Sequence, residues 1–189
     1  MAALTTAAAA WLPFVLGDVG TLSALHPPVA LVRGSGLHTL GVRGAVVPTW
    51  GRTAQLLLAP AASLAVALGR RWAGVMLVAI AVRLALDPQD NAYFIGSAAM
   101  AAVVFDLLGT RWLVPWTTVL TVLLLWQPFV LDYQHRLTTT TGLTRWWFAH
   151  PECVGWVHLA WAVLAVGIVV VMPAQSRPAA KSLSESNLA

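Results

Sequence analysis

The sequence predicts an all-α fold: a multipass transmembrane helical bundle of about six spans, with short cytoplasmic loops and longer outer loops. Three observations predict it. The first is composition. Of 189 residues, 59% are hydrophobic and 10% charged, whereas an ordinary soluble domain carries about 25% charged residues. Eleven basic and seven acidic side chains cannot coat a soluble surface of this size. A mean hydropathy of +0.76 also excludes disorder, which needs low hydrophobicity and high charge to stay solvated. The second observation is the alternation of apolar runs with short polar breaks. The third is the placement of tryptophan. Ten copies are present, and Trp50, Trp72, Trp112, Trp116, Trp126, Trp146, Trp147 and Trp156 fall near run ends, at the headgroup level that indoles prefer.

The runs follow in order. Residues 2–17 are Ala-rich and end at Gly17-Asp18; they lack the charged start and small-residue cleavage site of a signal peptide, and read as a span. Residues 53–69 form the next, with Pro60 as a kink in its middle. Residues 72–86 carry Arg83 and residues 93–109 carry Asp106. Residues 113–131 are uncharged, with Pro115 and Pro128 near their ends. Residues 153–172 hold His158 as their one ionisable group besides Cys153, over the length that a hydrocarbon core of about 30 Å requires. Residues 1–172 thus read as one transmembrane domain, and the Ser/Ala/Pro-rich residues 173–189 as a disordered cytoplasmic tail.

Charge sets the expected orientation. The net charge is +4, but the basic residues are scattered, and no stripe of Lys/Arg with interleaved aromatics points to nucleic acid. Arg70-Arg71, Arg111, Arg177 and Lys181 occupy short segments on one side; Arg33, Arg43, Arg52, Arg136 and Arg145 are spread over longer loops on the other. The denser side is expected to face the cytoplasm, together with the C-terminus, in a cell-membrane protein whose first partner is the lipid bilayer. One cysteine, Cys153, allows no intramolecular disulfide.

Ionisable residues inside a membrane are costly and are functional candidates by default. Arg83 either snorkels to the interface beside Asp87, four residues on, or lines an outward cavity and binds an anionic group such as phosphate. Asp106 is expected to pair with Arg70, Arg71 or Arg111. Between two runs, Arg83, Asp87, Pro88, Asp90, Asn91 and Tyr93 form a tight hairpin. Pro88 stops the first helix and Asp90 or Asn91 caps the second; Arg83, Asp87, Asp90, Asn91 and Tyr93 are the candidate substrate-binding set. The outer loop bearing Asp132, His135, Arg136, His150 and Glu152 matches no specific metal-ligand spacing, so neither a metal nor any other cofactor is expected. The Gly- and Pro-rich segment 18–52 reads as an interfacial piece roofing a cavity. The Trp146-Trp147 pair is an interface anchor or a platform for a carbohydrate.

Three stretches carry a family resemblance: Trp11 to Asp18 followed by Gly20, Thr21 and Leu22; Val47 to Gln55, with Pro48, Trp50 and Arg52; and Arg83-x-x-Leu86-Asp87-Pro88 followed by Tyr93. In these the chain resembles the C-terminal part of the actinobacterial polytopic membrane proteins of glycosyltransferase family 87. The excess of Arg over Lys is in keeping with that source. The resemblance implies a GT-C-type glycosyltransferase that moves a sugar, typically mannose, from a polyprenyl-phosphate donor to a glycan or glycolipid outside the membrane. The family's catalytic carboxylate lies in its first outer loop, and no position here matches it. An outward carboxylate would have to take the acceptor's proton, and Asp18 and Asp87 are the candidates, with Arg83 on the phosphate. Two other readings remain: a non-catalytic multipass protein, as an orphan half or scaffold, and a transporter subunit. The scarcity of mid-membrane charge and the lack of repeats weigh against the last.

Overall fold

The computed structural model describes residues 28–89, 91–127 and 142–173, together with residues 12, 13, 16–18 and 130. Most of run 2–17 and nearly all of the tail lie outside these. The described residues form seven bounded helices and no strand. They are α1 (Gly36–Thr39), α2 (Thr49–Leu68), α3 (Val75–Ala85, entered through a 3-10 turn at Trp72–Gly74), α4 (Ala92–Gly109), α5 (Trp116–Leu125), α6 (Gly142–Ala149) and α7 (Glu152–Val171).

Helices α2, α4 and α7 are long and apolar enough to cross a membrane; at about 1.5 Å per residue they reach roughly 27–30 Å. The sequence runs 53–69, 93–109 and 153–172 fall on them. Runs 72–86 and 113–131 fall on shorter apolar helices, Trp72–Ala85 and Trp116–Leu125. Pro60 stands inside α2, where its missing N–H interrupts the hydrogen-bond ladder. Leu56, Leu57, Leu58, Leu64 and Leu68 of α2 are exposed. An apolar surface of that kind suits contact with lipid, the environment in which it costs nothing.

The core centres on α3, which packs against α2, α4 and α7, while α5 completes it from the far side of α4 and α7. Leu77, Leu84, Phe105 and Trp161 supply its bulk, and Ala81, Ala98, Ala101, Ala102, Ala162 and Ala165 its close contacts. Small residues let helix backbones approach, and dispersion then holds them without a hydrophobic drive from water. Trp161 donates from Nε1 to Thr121 Oγ1 at 2.9 Å, and Thr121 Oγ1 donates to the Thr117 carbonyl. The one indole at the centre therefore has its polar end satisfied, and truncating it would cost about 3–5 kcal/mol.

The two ends of the bundle are built differently. At one, Arg70 adopts a left-handed turn (φ 57°), and Arg71 Nε donates to the Met172 carbonyl at 2.9 Å, tying the α2–α3 turn to the end of α7. At the other, segment 28–48 is stitched onto the helix ends. Ala30 and Val46 form an isolated antiparallel bridge. Val32 N–H donates to the Pro88 carbonyl at 2.9 Å and Leu37 N–H to the Asp87 carbonyl at 3.4 Å. Ser35 caps α1 by accepting from His38 N–H. Two glycines make this clamp fit: a Cβ on Gly36 would lie 2.5 Å from the Ala85 carbonyl oxygen, and one on Gly155 of α7 would lie 2.7 Å from that of Ser35. The segment therefore lies on the bundle end, beside the Arg83–Tyr93 hairpin.

Candidate functional site

Why the hairpin turns where it does is local chemistry. Helix α3 ends at Ala85, two residues short of Pro88, so Asp87 lies past the last helical turn. Its carboxylate folds back on the turn, and Oδ1 accepts from Gln89 N–H at 3.1 Å. Asn91 occupies the N-cap position of α4, as expected, but its side chain caps nothing. Instead Asn91 Nδ2 donates to Gln89 Oε1 at 3.1 Å, which fixes the amides within the turn. Asp90 lies outside the described residues.

Arg83 and Asp87 do not form the expected i, i+4 pair, because helical geometry is lost between them. Arg83 rests over the Phe94 ring at 4.7 Å from its centroid, a cation–π contact. Tyr93 and Phe94 meet at a tilt of 50° with centroids 4.2 Å apart, so the aromatic start of α4 forms a wall against which the guanidinium is held.

These residues open onto a cleft of about 360 Å³. From the hairpin its lining takes Arg83, Asp87, Gln89, Asn91, Tyr93 and Phe94; from α2 it takes Arg52 and Gln55; from the clamp, Val29 and Val47. Four of the five candidate substrate-binding residues are thus brought together. Arg52 and Gln55 are not among the binding residues that the sequence points to. The signal that points to them is their spacing: polar residues at i and i+3 on the first turns of an otherwise apolar helix share one face. Gln55 Nε2 also donates to the Leu86 carbonyl, which binds the two walls together. Two stretches of the resemblance, Val47 to Gln55 and Arg83 to Tyr93, therefore meet in one cavity.

Asp87 is the unusual member of the lining. Only 4% of the residue is exposed, and its Oδ2 is buried without a hydrogen-bond partner. Burial pushes its carboxyl up to about 6, against the pull of the Gln89 N–H and the Arg83 charge. Asp18, the other carboxylate considered, is exposed and is not part of the lining.

The remaining candidates are placed elsewhere. Asp106 is buried on α4 and pairs with none of Arg70, Arg71 and Arg111. Its Oδ2 accepts from Thr118 N–H at 2.7 Å and Thr118 Oγ1 at 2.8 Å. Helix α5 starts after Pro115 with no side-chain cap of its own, so Asp106 caps it from a neighbouring helix. That need for an acceptor explains the charge in an apolar run. His158 is buried in α7. His150 stacks on Trp146 with centroids 4.7 Å apart, and Trp146 and Trp147 lie 6.4 Å apart. Asp132, His135 and Arg136 lie outside the described residues. No family model, curated protein or solved structure matches the chain.

Proposed function

We propose that this chain is a cell-membrane protein of about six spans, with its C-terminus cytoplasmic and the cleft outward, that forms the donor-binding C-terminal part of a GT-C-like glycosyltransferase. The observation that carries the reading is the cleft itself, where Arg52 and Arg83 line a cavity beside amides and an aromatic wall. Guanidinium groups suit phosphate oxygens through their forked donors. The amides of Gln55, Gln89 and Asn91 suit the hydroxyls of a sugar. A polyprenyl-phosphate sugar of the mannose type satisfies both, its chain running into lipid along the exposed apolar face of α2.

Asp87 favours a binding role over catalysis in this part of the machine. Asp87 is 4% exposed as a residue and its Oδ2 is buried, which limits its reach to an acceptor hydroxyl, and a general base needs hydrogen-bond reach to the proton it takes. The second reading, a non-catalytic multipass protein that holds the donor without transferring it, draws on that same burial.

The test is binding of a short-chain polyprenyl-phosphate mannose to the purified protein in nanodiscs. Saturable binding is expected, weakened about tenfold or more by Arg83→Gln, the size of a lost charge-assisted hydrogen bond. Absent saturable binding, or affinity unchanged in both Arg52→Gln and Arg83→Gln, overturns the reading. Release of mannose to an acceptor separates an enzyme from a binding part. Orientation is checked in a Cys153→Ala background: Gln89→Cys should react with an impermeant maleimide on intact cells, and Ser182→Cys only after lysis. The reverse pattern overturns the topology.

A further inference from the structure

Among the described residues, Asp87 stands on the wall of a cleft whose other charges are cationic. Among the described residues of the lining, the ionisable groups are Arg52 on α2, Arg83 on α3, Asp87 itself and Tyr93 on α4. The clamp contributes Val29 and Val47; its own Arg33, His38 and Arg43 are not part of the lining, nor are His150 and Glu152 beside the start of α7. One donor, the Gln89 N–H, reaches the carboxylate, on Oδ1. Oδ2 is sealed without a partner, and the nearest cation of the hairpin, Arg83, is drawn onto Phe94 instead. A buried carboxylate with one oxygen unsatisfied is held poorly in its charged form.

We propose that the cleft is a proton-linked anion site, in which Asp87 takes up a proton as an anionic phosphoester group settles between Arg52 and Arg83. This rests on the anion-binding reading of the cleft and adds its regulation. The physical reason is one of like charges. An ionised Asp87 cancels part of the guanidinium field and repels the incoming anion; a neutral Asp87 does neither. The anion and the proton therefore bind cooperatively, and by linkage each raises the affinity for the other. Burial has already brought the carboxyl to about 6, so the coupling operates within the range of extracellular pH. The sign follows. Binding raises the carboxyl further, so affinity is highest below the free-state value and declines as pH rises through it. At most one decade is lost per pH unit.

The probe must not titrate in the same window. A phosphomonoester loses its second proton near pH 6, about where Asp87 does, so a prenyl methyl phosphodiester is used, with inorganic sulfate as the free-anion arm. Affinity of the full chain in nanodiscs is measured from about pH 5 to about pH 7.5, and is expected to fall about tenfold in the wild type. Proton uptake on binding, read in buffers of different ionisation enthalpy, should be non-zero near pH 6. In Asp87→Asn the affinity should be flat with pH, and in Asp90→Asn the decline should persist. Diester binding without sulfate binding, with this pH profile, supports the proposal and identifies a lipid headgroup as the source of the anion. Binding that is flat in the wild type, a decline that persists in Asp87→Asn, or one abolished by Asp90→Asn overturns the proton link and leaves the cleft as an anion site. Absence of binding by either probe at every pH, in wild type and Asp87→Asn alike, overturns both.

Discussion

Two aspartates interrupt the apolar course of this chain, one at each end of the bundle, and in sequence they look alike. Each stands near arginine and near the end of an apolar run. Asp106 gives two donors of Thr118 an acceptor, at 2.7 and 2.8 Å, and so closes the open start of α5. Asp87 receives one N–H, at 3.1 Å, and faces a cleft with two guanidinium groups. The ends differ correspondingly. Beyond Asp106, the groove between Trp112 and the end of α7 is almost wholly apolar, lined by Val163, Leu164, Ile168 and Val171 among others. Beyond Asp87 the lining is charged and amide-rich. A buried carboxylate is a structural part when a neighbouring helix needs its oxygens. Each of the two keeps one buried oxygen without a partner, so what makes a functional candidate is the cavity that opens beside it.

The largest expected effect tests the structural half of this contrast. Asp106→Ala leaves Thr118 N–H and Oγ1 without their acceptor and α5 without a cap, and should destabilise the fold by about 2–3 kcal/mol. Thermal unfolding in micelles reads this, and anion binding by the folded fraction should not change. A loss of binding larger than the loss of folded protein would break the distinction between the two ends. Next in size is Gly36→Ala. Its Cβ would lie 2.5 Å from the Ala85 carbonyl, so α1 must move off the end of α3, at about 1–2 kcal/mol. Because that clamp also holds the Asp87 and Pro88 carbonyls, this change should weaken anion binding as well. The two variants together separate a structural from a site-coupled destabilisation.

What the sequence revealed of all this follows from distance along the chain. Apolar length is a local property, and the three longest helices lie on runs that composition alone marks out. Arg83, Asp87, Asn91 and Tyr93 lie in or flank one turn between helices, so a hairpin drawn from Pro88 already brings them together. Arg52 and Gln55 come from a helix some thirty positions earlier, and only packing of α2 on α3 puts them in the same cleft. In the sequence Asp106 points to an arginine, because charge suggests charge. Its partners are the hydroxyl and the backbone N–H of Thr118 on another helix, and the second is a group that every residue but proline carries and that no side-chain pattern reveals. The clamp is a matter of fit. Gly36 and Gly155 are needed where backbones meet, and nothing in their neighbours along the chain announces the contact.

Asp87→Asn carries the comparison into stability. The carboxyl rises from 3.8 to about 6 on folding, so between those values the folded state holds more protons than the unfolded one. Stability should therefore decline as pH rises through that window and level off above it, with a slope of at most about 1.4 kcal/mol per pH unit. The Asn variant should lose that slope and be the more stable of the two at neutral pH. Unfolding midpoints across the window measure it; a wild type whose stability rises with pH there would mean that Asp87 is paired in solution and would place it beside Asp106 in kind.

The smallest effect falls on the aromatic wall. In Phe94→Leu the apolar volume at the start of α4 is largely kept while the ring under Arg83, now 4.7 Å away, is removed. A cation–π contact at an exposed site contributes about 0.5–1 kcal/mol, so a guanidinium released from the ring should cost two- to fivefold in anion affinity at about pH 5. The direction is informative, because a freed Arg83 has another option in Asp87. If it swings to the carboxylate, Asp87 is held ionised, and the pH dependence of binding shifts to lower pH along with the loss. Titrating anion affinity in Phe94→Leu against wild type reads both. An unchanged affinity with an unchanged profile would show that the ring neither positions Arg83 nor keeps it from Asp87, and the contrast between the two aspartates would then rest on the cleft alone.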